Sequence, residues 1–401
     1  MKKILLITEY FWPEEFVIGD LAADAVLSGY EIDVLTLQPS YPRGRMVRGY
    51  RNQFFSQQNW KGVNIFRLKT ILGYRESLFY KLLNYSWFAV AASIVAFCLR
   101  KRYDHVLIYQ VGPLTMAIPG IVYGKSRGVP VAVWTQDVWP DSVYAYGFKR
   151  TGVLSRSLDF FVRWVYASVD TIFISCKGFE RILKVYTNKP MYYAPNWPLT
   201  VYEHGMKNAR LAEKPVFLFA GNIGKVQNLD NVIRGFAIAC SRENFKGKLR
   251  IVGDGSALVE LKQLADTCCR TVEFVGRKPS SIMAEEYRRA SFLILSLADK
   301  PVFRLTVPSK FQMYVSVGKP ILCAAEGEVR ALVREFDLGV DADSDSPESI
   351  AEAFLRLSTA TEKEIDSWGN NAARAFSGAF DRKLIVSGIL ATIAQSRQNK
   401  T

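Results

Sequence analysis

The sequence predicts an α/β protein of two doubly wound, Rossmann-like parallel-sheet domains in series, and three observations carry that expectation. Strand-like apolar runs alternate with helix-patterned segments along most of the chain, which is the mark of parallel sheets. Most of those runs are continuously hydrophobic, as strands are when helices cover both faces of a sheet. The alternation pauses once, around Pro195-Asn196-Trp197-Pro198, and the 401 residues suit two domains of roughly 100–200 residues each.

In the first half the expected strands are Ile4–Thr8, Ile32–Leu37, Val63–Leu68, Val106–Gln110, Val129–Trp134, Thr171–Ser175 and Met191–Ala194, with helices near 17–29, 78–101, 113–126, 151–167 and 177–185. The polar stretch 198–214 reads as a linker between a domain 1–197 and a domain 215–375. The second domain offers strands Val216–Ala220, Leu249–Val252, Val272–Val275, Phe292–Ser296 and Pro320–Ala324. Its helices fall near 228–242, 256–268, 279–289, 308–317, 328–336 and 347–358. A helical tail follows from about 362, and its last part, 376–401, is expected to pack back on the first domain. Two such domains would place a ligand crevice at the carboxyl ends of their strands.

Composition narrows the function classes. Hydrophobic residues make up 49% and charged residues 22%, an ordinary globular profile that excludes disordered and coiled-coil readings. The six cysteines form no C-x-x-C pair and there are two histidines, so a zinc site, a disulfide framework or a Ser–His–Asp triad has little raw material. The net charge of +14 is concentrated, because residues 43–102 carry twelve Lys and Arg against the single acid Glu76. Such a patch suits phosphate on a nucleic acid, an anionic lipid or a phosphorylated substrate.

The opening Met1-Lys2-Lys3-Ile4-Leu5-Leu6-Ile7 is too soon interrupted by Glu9 and Glu14-Glu15 for a signal peptide and reads as a buried strand. The apolar stretch Ser86–Leu99 has 14 residues, short of the ~20 that span a bilayer. Two readings stay open for it: a core helix, or a helix half-sunk in an anionic leaflet, with Lys81 before it and Arg100-Lys101-Arg102 after it.

Three turns of the second domain could cradle a phosphate. Gly221-Asn222-Ile223-Gly224-Lys225 joins a strand to a helix, directing free backbone N–H groups at a ligand beside a cation. Gly253-Asp254-Gly255-Ser256 is a second such turn, where the glycines would let a ligand approach and Asp254 or Ser256 would cap a helix. In Thr306-Val307-Pro308-Ser309-Lys310, a lysine occupies a helix first turn, where the dipole disfavours a cation unless an anion is bound. Arg277, just past the strand Val272–Val275, joins these donor-side residues, as does Gly19 of the first domain.

In the first domain Trp134-Thr135-Gln136-Asp137-Val138-Trp139-Pro140-Asp141-Ser142 leaves a buried strand with two carboxylates and two tryptophans whose faces suit a sugar ring. Glu9-Tyr10-Phe11-Trp12-Pro13 follows strand one. The aspartates Asp341, Asp343 and Asp345 form a D-x-D pattern that could suggest a metal, but the following Ser346-Pro347-Glu348 makes it a helix-capping segment; no metal is expected.

Taken together, these segments resemble the retaining glycosyltransferases of family 4, with the two-domain GT-B fold, over essentially the whole chain. The branch that builds bacterial O-antigen, capsule and colanic acid, including fucosyl- and N-acetylfucosaminyltransferase-like members, is the most similar. The resemblance rests on Glu9–Pro13 with Gly19, Gln38-Pro39-Ser40-Tyr41-Pro42, Gln136–Pro140, Pro195-Asn196-Trp197, Ala220–Gly224, Val252–Gly255 and Val307–Phe311. The departures are specific. The two family glutamates, eight positions apart, would fall at Leu305 and Met313; the Arg and Lys of the phosphate turn fall near Asn222 and Gln227; the family His before Asp is Gln136.

The resemblance implies transfer of a sugar from a nucleotide diphosphate-sugar to a lipid-diphosphate-linked glycan with retention of configuration, without a metal, at the cytoplasmic face of the membrane. In that reading Asp137 and Gln136 are catalytic, and Glu9, Trp139 and Asp141 hold the acceptor and sugar. Gly19, Gly221, Asn222, Lys225, Gly253, Asp254, Arg277, Thr306, Ser309 and Lys310 hold the donor, Lys225 and Lys310 replacing the missing cations. Two alternatives stay open at this level: a nucleotide-sugar epimerase or hydrolase of the same fold, which the scarcity of histidine disfavours, and a catalytically dead membrane-surface binding protein, which the missing glutamates favour. Nucleic acid is not an expected partner, since no base-reading motif is present.

Overall fold

The computed structural model describes residues 2–74, 76–145, 151–201, 214–269 and 271–396. The chain forms two compact units, one of Met1–Pro195 with Arg382–Thr401, the other of Asn196–Asp381. Most of the expected linker, residues 202–213, lies outside the described residues.

The first unit is built on eight strands: β1 (Lys3–Ile7), β2 (Glu31–Leu37), β3 (Phe55–Trp60), β4 (Val63–Leu68), β5 (His105–Gln110), β6 (Val131–Thr135), β7 (Thr171–Ile174) and β8 (Met191–Tyr193). Their order is β3-β4-β2-β1-β5-β6-β7-β8. All neighbours are parallel except β3 and β4, which form an antiparallel hairpin. Its helices are α1 (Val17–Leu27), α2 (Leu78–Cys98), α3 (Ile118–Arg127), α4 (Asp141–Ala145), α5 (Val153–Ser168) and α6 (Gly178–Leu183). Strands β1, β5 and β6 are buried or nearly so along their length, as continuous apolar runs in a covered parallel sheet should be.

The second unit has six parallel strands, β9 (Val216–Ala220), β10 (Lys248–Val252), β11 (Val272–Gly276), β12 (Phe292–Ser296), β13 (Ile321–Ala324) and β14 (Gly339–Ala342), in the order β11-β10-β9-β12-β13-β14. Helices α7 (Leu229–Cys240), α8 (Leu258–Cys268), α9 (Ser280–Arg289), α10 (Ser309–Val317), α11 (Glu328–Glu335), α12 (Pro347–Ser358) and α13 (Glu362–Ala379) cover it. One face buries Phe217, Phe219, Phe236 and Phe354, the other Phe311, Tyr314 and Phe380. The expected tail is two helices, because α13 starts at a Thr361–Glu364 capping box and the last helix, α14 (Arg382–Ser396), belongs to the first unit. There Arg382 pairs with Asp20 at 2.9 Å and Asp24 at 2.5 Å on α1.

Three sequence expectations change. Trp134 is completely buried and its indole N–H donates to the Ala194 carbonyl at 2.9 Å; it is a core residue, not a sugar platform. Arg67 and Lys101 leave the count of surface cations. Arg67 is fully buried, donating to Leu37 O and Gln58 Oε1 at 3.1 Å each, and Lys101 pairs with Glu31 at 2.6 Å and Asp33 at 2.7 Å. The D-x-D segment does not cap through its aspartates, because Asp341 is held by Arg330 and Arg334, each at 2.6 Å, while Ser346 caps α12.

Candidate functional site

In each sheet the expected site residues collect at the carboxyl ends of the strands, where an α/β sheet binds its ligands. In the second unit Gly221 and Asn222 follow β9, Gly253 and Asp254 follow β10, Arg277 follows β11, and Thr306, Ser309 and Lys310 lie between β12 and α10. The strands are parallel, so these groups share one edge.

Lys310 is the outstanding group there. Its Nζ is buried and makes no hydrogen bond. It lies 3.9 Å from the centre of the Phe219 ring, and a Cβ placed on Gly221 would meet it at 3.4 Å. Burial pushes its pKa down to about 7, since an ammonium away from water is costly without a counter-charge. A cation left in this state is ready for an anion.

The glycines of the second turn do other work than the sequence suggests. A Cβ on Gly253, at φ 150°, would fall 1.8 Å from the Gly221 carbonyl oxygen. The close approach is therefore between the two turns, joined by Gly221 N–H donating to Val252 O at 2.9 Å and Ile223 N–H to Asp254 O at 2.9 Å. Asp254 accepts from the Gly255 N–H at 2.8 Å and does not cap α8, which has no side-chain cap. Lys225 is exposed and lines a separate recess of about 340 Å³ with Asp230, Arg234 and Glu260. Arg277 and Ser309 are exposed, and Thr306 donates to Phe303 O at 3.2 Å.

In the first unit Glu9 follows β1, Gln38 follows β2, Gln110 ends β5, and Gln136 and Asp137 follow β6. The Gln136 N–H donates to Gln110 O at 2.8 Å. Asp137 accepts from the Ser142 hydroxyl, and burial holds its carboxyl above the usual range against that bond, the Val138 N–H and the charge of Lys81. Trp139 is half-buried and Asp141 opens α4. Glu9 is buried with neither carboxylate oxygen hydrogen-bonded. Burial first, then Glu14, lifts it to about 8, with Lys81 opposing. Gly19 sits in the first turn of α1, where a Cβ would meet Trp60 at an ordinary 3.8 Å, so nothing in its surroundings requires glycine.

The sequence reading passed over a recess of about 510 Å³ in this unit, lined by Tyr10, Phe16, Tyr41, Tyr74, Lys81 and Tyr85 among others. Glu14 ties its two loops together by accepting from Phe11 N–H at 3.1 Å, Ser40 N–H at 2.9 Å and Tyr41 N–H at 2.7 Å. The available signal was the paired aromatic–proline loops after strands one and two, Trp12-Pro13 and Tyr41-Pro42, both cis.

With this geometry in view, the comparisons agree on a class. Residues 15–197 match the model of a glycosyl transferase 4-like domain and residues 203–375 that of glycosyl transferases group 1. The chain belongs to the glycosyltransferases that combine these two domains. It is 26% identical over 271 residues to the glycosyltransferase WbjE of Pseudomonas aeruginosa, covering 63% of this chain and 66% of that one. It is 24% identical over 284 residues to the colanic acid biosynthesis glycosyl transferase WcaI of Escherichia coli K12, covering 66% and 68%. The match thus spans about two thirds of these relatives' lengths. A trehalose-phosphate synthase of Burkholderia vietnamiensis shares the fold at TM-score 0.74 and 10% identity over 99% of this chain and 97% of that one. Sucrose-phosphate synthase of Thermosynechococcus elongatus does so at TM-score 0.69 and 15% identity over 98% and 99%. Anabaena HepE, solved with UDP and glucose, matches at 0.62 and 12% over 98% and 100%. The shared fold is GT-B.

Proposed function

We propose that the chain transfers a sugar from a nucleotide diphosphate-sugar to a glycan carried on a polyprenyl diphosphate, with retention of configuration, in bacterial surface-polysaccharide synthesis at the cytoplasmic face of the membrane. The observation that carries the donor half is Lys310, a buried cation with no hydrogen bond at the ligand edge of the second sheet. As the sugar–diphosphate bond breaks, negative charge grows on the leaving phosphate. A preorganised cation in a poorly solvated site stabilises that charge more than it stabilises the bound donor. Asp137, held by Ser142, suits orienting the acceptor hydroxyl. Leaving-group charge is met by protein groups in this reading, so turnover is expected to survive EDTA.

The experiment is a panel of nucleotide sugars, UDP-sugars first because HepE is solved with UDP. Nucleoside diphosphate release is followed with and without a lipid-linked acceptor. Release that depends on the acceptor supports transfer. Release without acceptor points to hydrolysis, and binding with no release in any pairing points to a binding protein.

A further inference from the structure

We propose that Cys240 and Cys269 form a dithiol site for a small soluble disulfide of the glutathione type, which closes them into a disulfide that staples α7 to α8. The site is independent of sugar transfer. It lies at the carboxyl ends of these two helices, whereas the donor turns precede their amino ends.

Cys240 is the last residue of α7, and Cys269 caps the end of α8. The helices pack against each other on one face of the second sheet, so two cysteines far apart in sequence meet where the helices end. The Cys269 thiol donates to Cys240 Sγ at 3.7 Å. The Thr271 hydroxyl lies 3.1 Å from Cys269 Sγ and 3.7 Å from Cys240 Sγ. The sulfurs are thus already in contact, and a disulfide bond is about 2 Å long. Closure therefore calls for a short approach of two side chains rather than a shift of either helix. Cys268, although next in sequence, is directed elsewhere: its thiol donates to Leu264 O at 3.1 Å within its own helix.

A reagent can reach the pair from one side. Cys269 lines an open recess of about 560 Å³ with Lys262, Ala265, Asp266, Val272 and Phe274. Lys262 and Asp266 are exposed and put a charge of each sign on its wall, which suits a zwitterionic peptide disulfide. Burial pushes the Cys240 thiol up to about 11 against its hydrogen bond to Thr271, with Cys269 adding to the rise. The thiolate is the nucleophile, so Cys240 is a poor first attacker and Cys269 opens the reaction. Cys269 gives its proton to solvent, and its thiolate attacks one sulfur of glutathione disulfide. That S–S bond breaks, and one glutathione leaves as thiolate and takes up a proton. Cys240, losing its own proton, then attacks Cys269 Sγ and expels the second glutathione. Two protein thiols are oxidised to one disulfide while one glutathione disulfide is reduced to two thiols. The new bond closes residues 240–269 into a loop containing β10 and α8, a constraint that falls mainly on the unfolded chain.

The full chain, reduced and then freed of reductant, is incubated in glutathione buffers of graded disulfide content, alkylated and mapped by mass spectrometry. A peptide joined through Cys240 and Cys269 should appear, and dithiothreitol should remove it. The closed form should melt about 5–10 °C above the reduced form. Nucleoside diphosphate affinity should stay within about twofold, as for distant sites. Cys240→Ser should stop at the mixed disulfide on Cys269 and gain no stability, while Cys268→Ser should behave as wild type. Glutathione on Cys268 with Cys240 and Cys269 still alkylated at every ratio overturns the site, as does a link that runs through Cys268. A joined peptide without a higher melting temperature overturns the staple. Should Cys240→Ser fold poorly, the peptide map of the wild-type chain and its reversal by dithiothreitol decide the matter without it.

Discussion

At the scale of single residues, Lys310 makes the sharpest statement about pH. Its folded pKa is lowered to about 7 from 10.5, so between those values the unfolded chain holds a proton that the folded chain lacks. Folding stability should therefore rise with pH across that window, and Lys310→Met should remove the slope. Donor binding should run the other way. Diphosphate wants the ammonium, so affinity falls above pH 7 and complex formation takes up a proton, which calorimetry in buffers of different ionisation enthalpy reads directly. At pH 7 the substitution should weaken donor by ten- to a hundredfold, for a contact worth about 1.5–3 kcal/mol. Proton uptake that persists in Lys310→Met would place the diphosphate elsewhere. Asp137→Asn keeps shape and removes charge; an orienting carboxylate predicts a tenfold or greater fall in kcat with donor KM unchanged, and full activity would deny it a direct role. Lys310 was legible in the sequence because a lysine after Pro-Ser in a helix first turn is electrostatically out of place. The Lys81 pocket was not, since its residues come from four separate segments between 10 and 112 and only the fold assembles them.

At the scale of elements, the two Gly-bearing turns of the second unit act as one part. Gly253→Ala must move a methyl away from the Gly221 carbonyl oxygen, 1.8 Å distant, at a φ of 150° that alanine rarely adopts. The expected cost is about 3 kcal/mol or more, seen as a lower denaturation midpoint, with donor binding lost beyond what the stability change explains because Gly221 shifts beside Lys310. A variant as stable as wild type would mean that the turns do not depend on each other. Buried strands were read within one or two residues, since a continuous apolar run leaves few alternatives. Strands β3 and β14 were missed for the opposite reason: Phe55-Ser56-Gln57-Gln58-Asn59-Trp60 and Gly339-Val340-Asp341-Ala342 are edge strands with little apolar signal. The sequence placed a helix near 78–101, but its apolar core of 14 residues undercounted the apolar surface. The whole helix, Leu78–Cys98, is long and apolar enough to cross a membrane by length and composition.

At the scale of the whole molecule, charge and apolar surface lead to one test. Of the twelve basic residues in 43–102, Arg67 serves the core and Lys101 pairs with Glu31 and the buried Asp33, while Arg43, Arg48, Arg51, Lys61, Lys69, Arg100 and Arg102 remain exposed. Basic residues near an anionic surface contribute about 1 kcal/mol each, and the exposed stripe of α2 adds burial at about 25 cal/mol per Å². The two contributions respond differently to salt, because exposed charges are screened beyond about 8–10 Å at physiological ionic strength whereas apolar contact is not. Co-sedimentation should therefore show strong binding to anionic vesicles at low salt, a steep fall toward 0.5 M, and a residual plateau. Arg100→Glu with Arg102→Glu should lower the salt-sensitive part by about tenfold and spare the plateau, whereas Leu82→Ser with Ile94→Ser should remove the plateau and spare the salt dependence. Lys101 is kept out of the charge reversal because its loss would leave Asp33, which is 2% exposed, with the Tyr103 hydroxyl but no counter-charge from Lys101. Equal binding to neutral and anionic vesicles would leave α2 as an apolar anchor alone, and no binding to either would return its outward face to a protein partner.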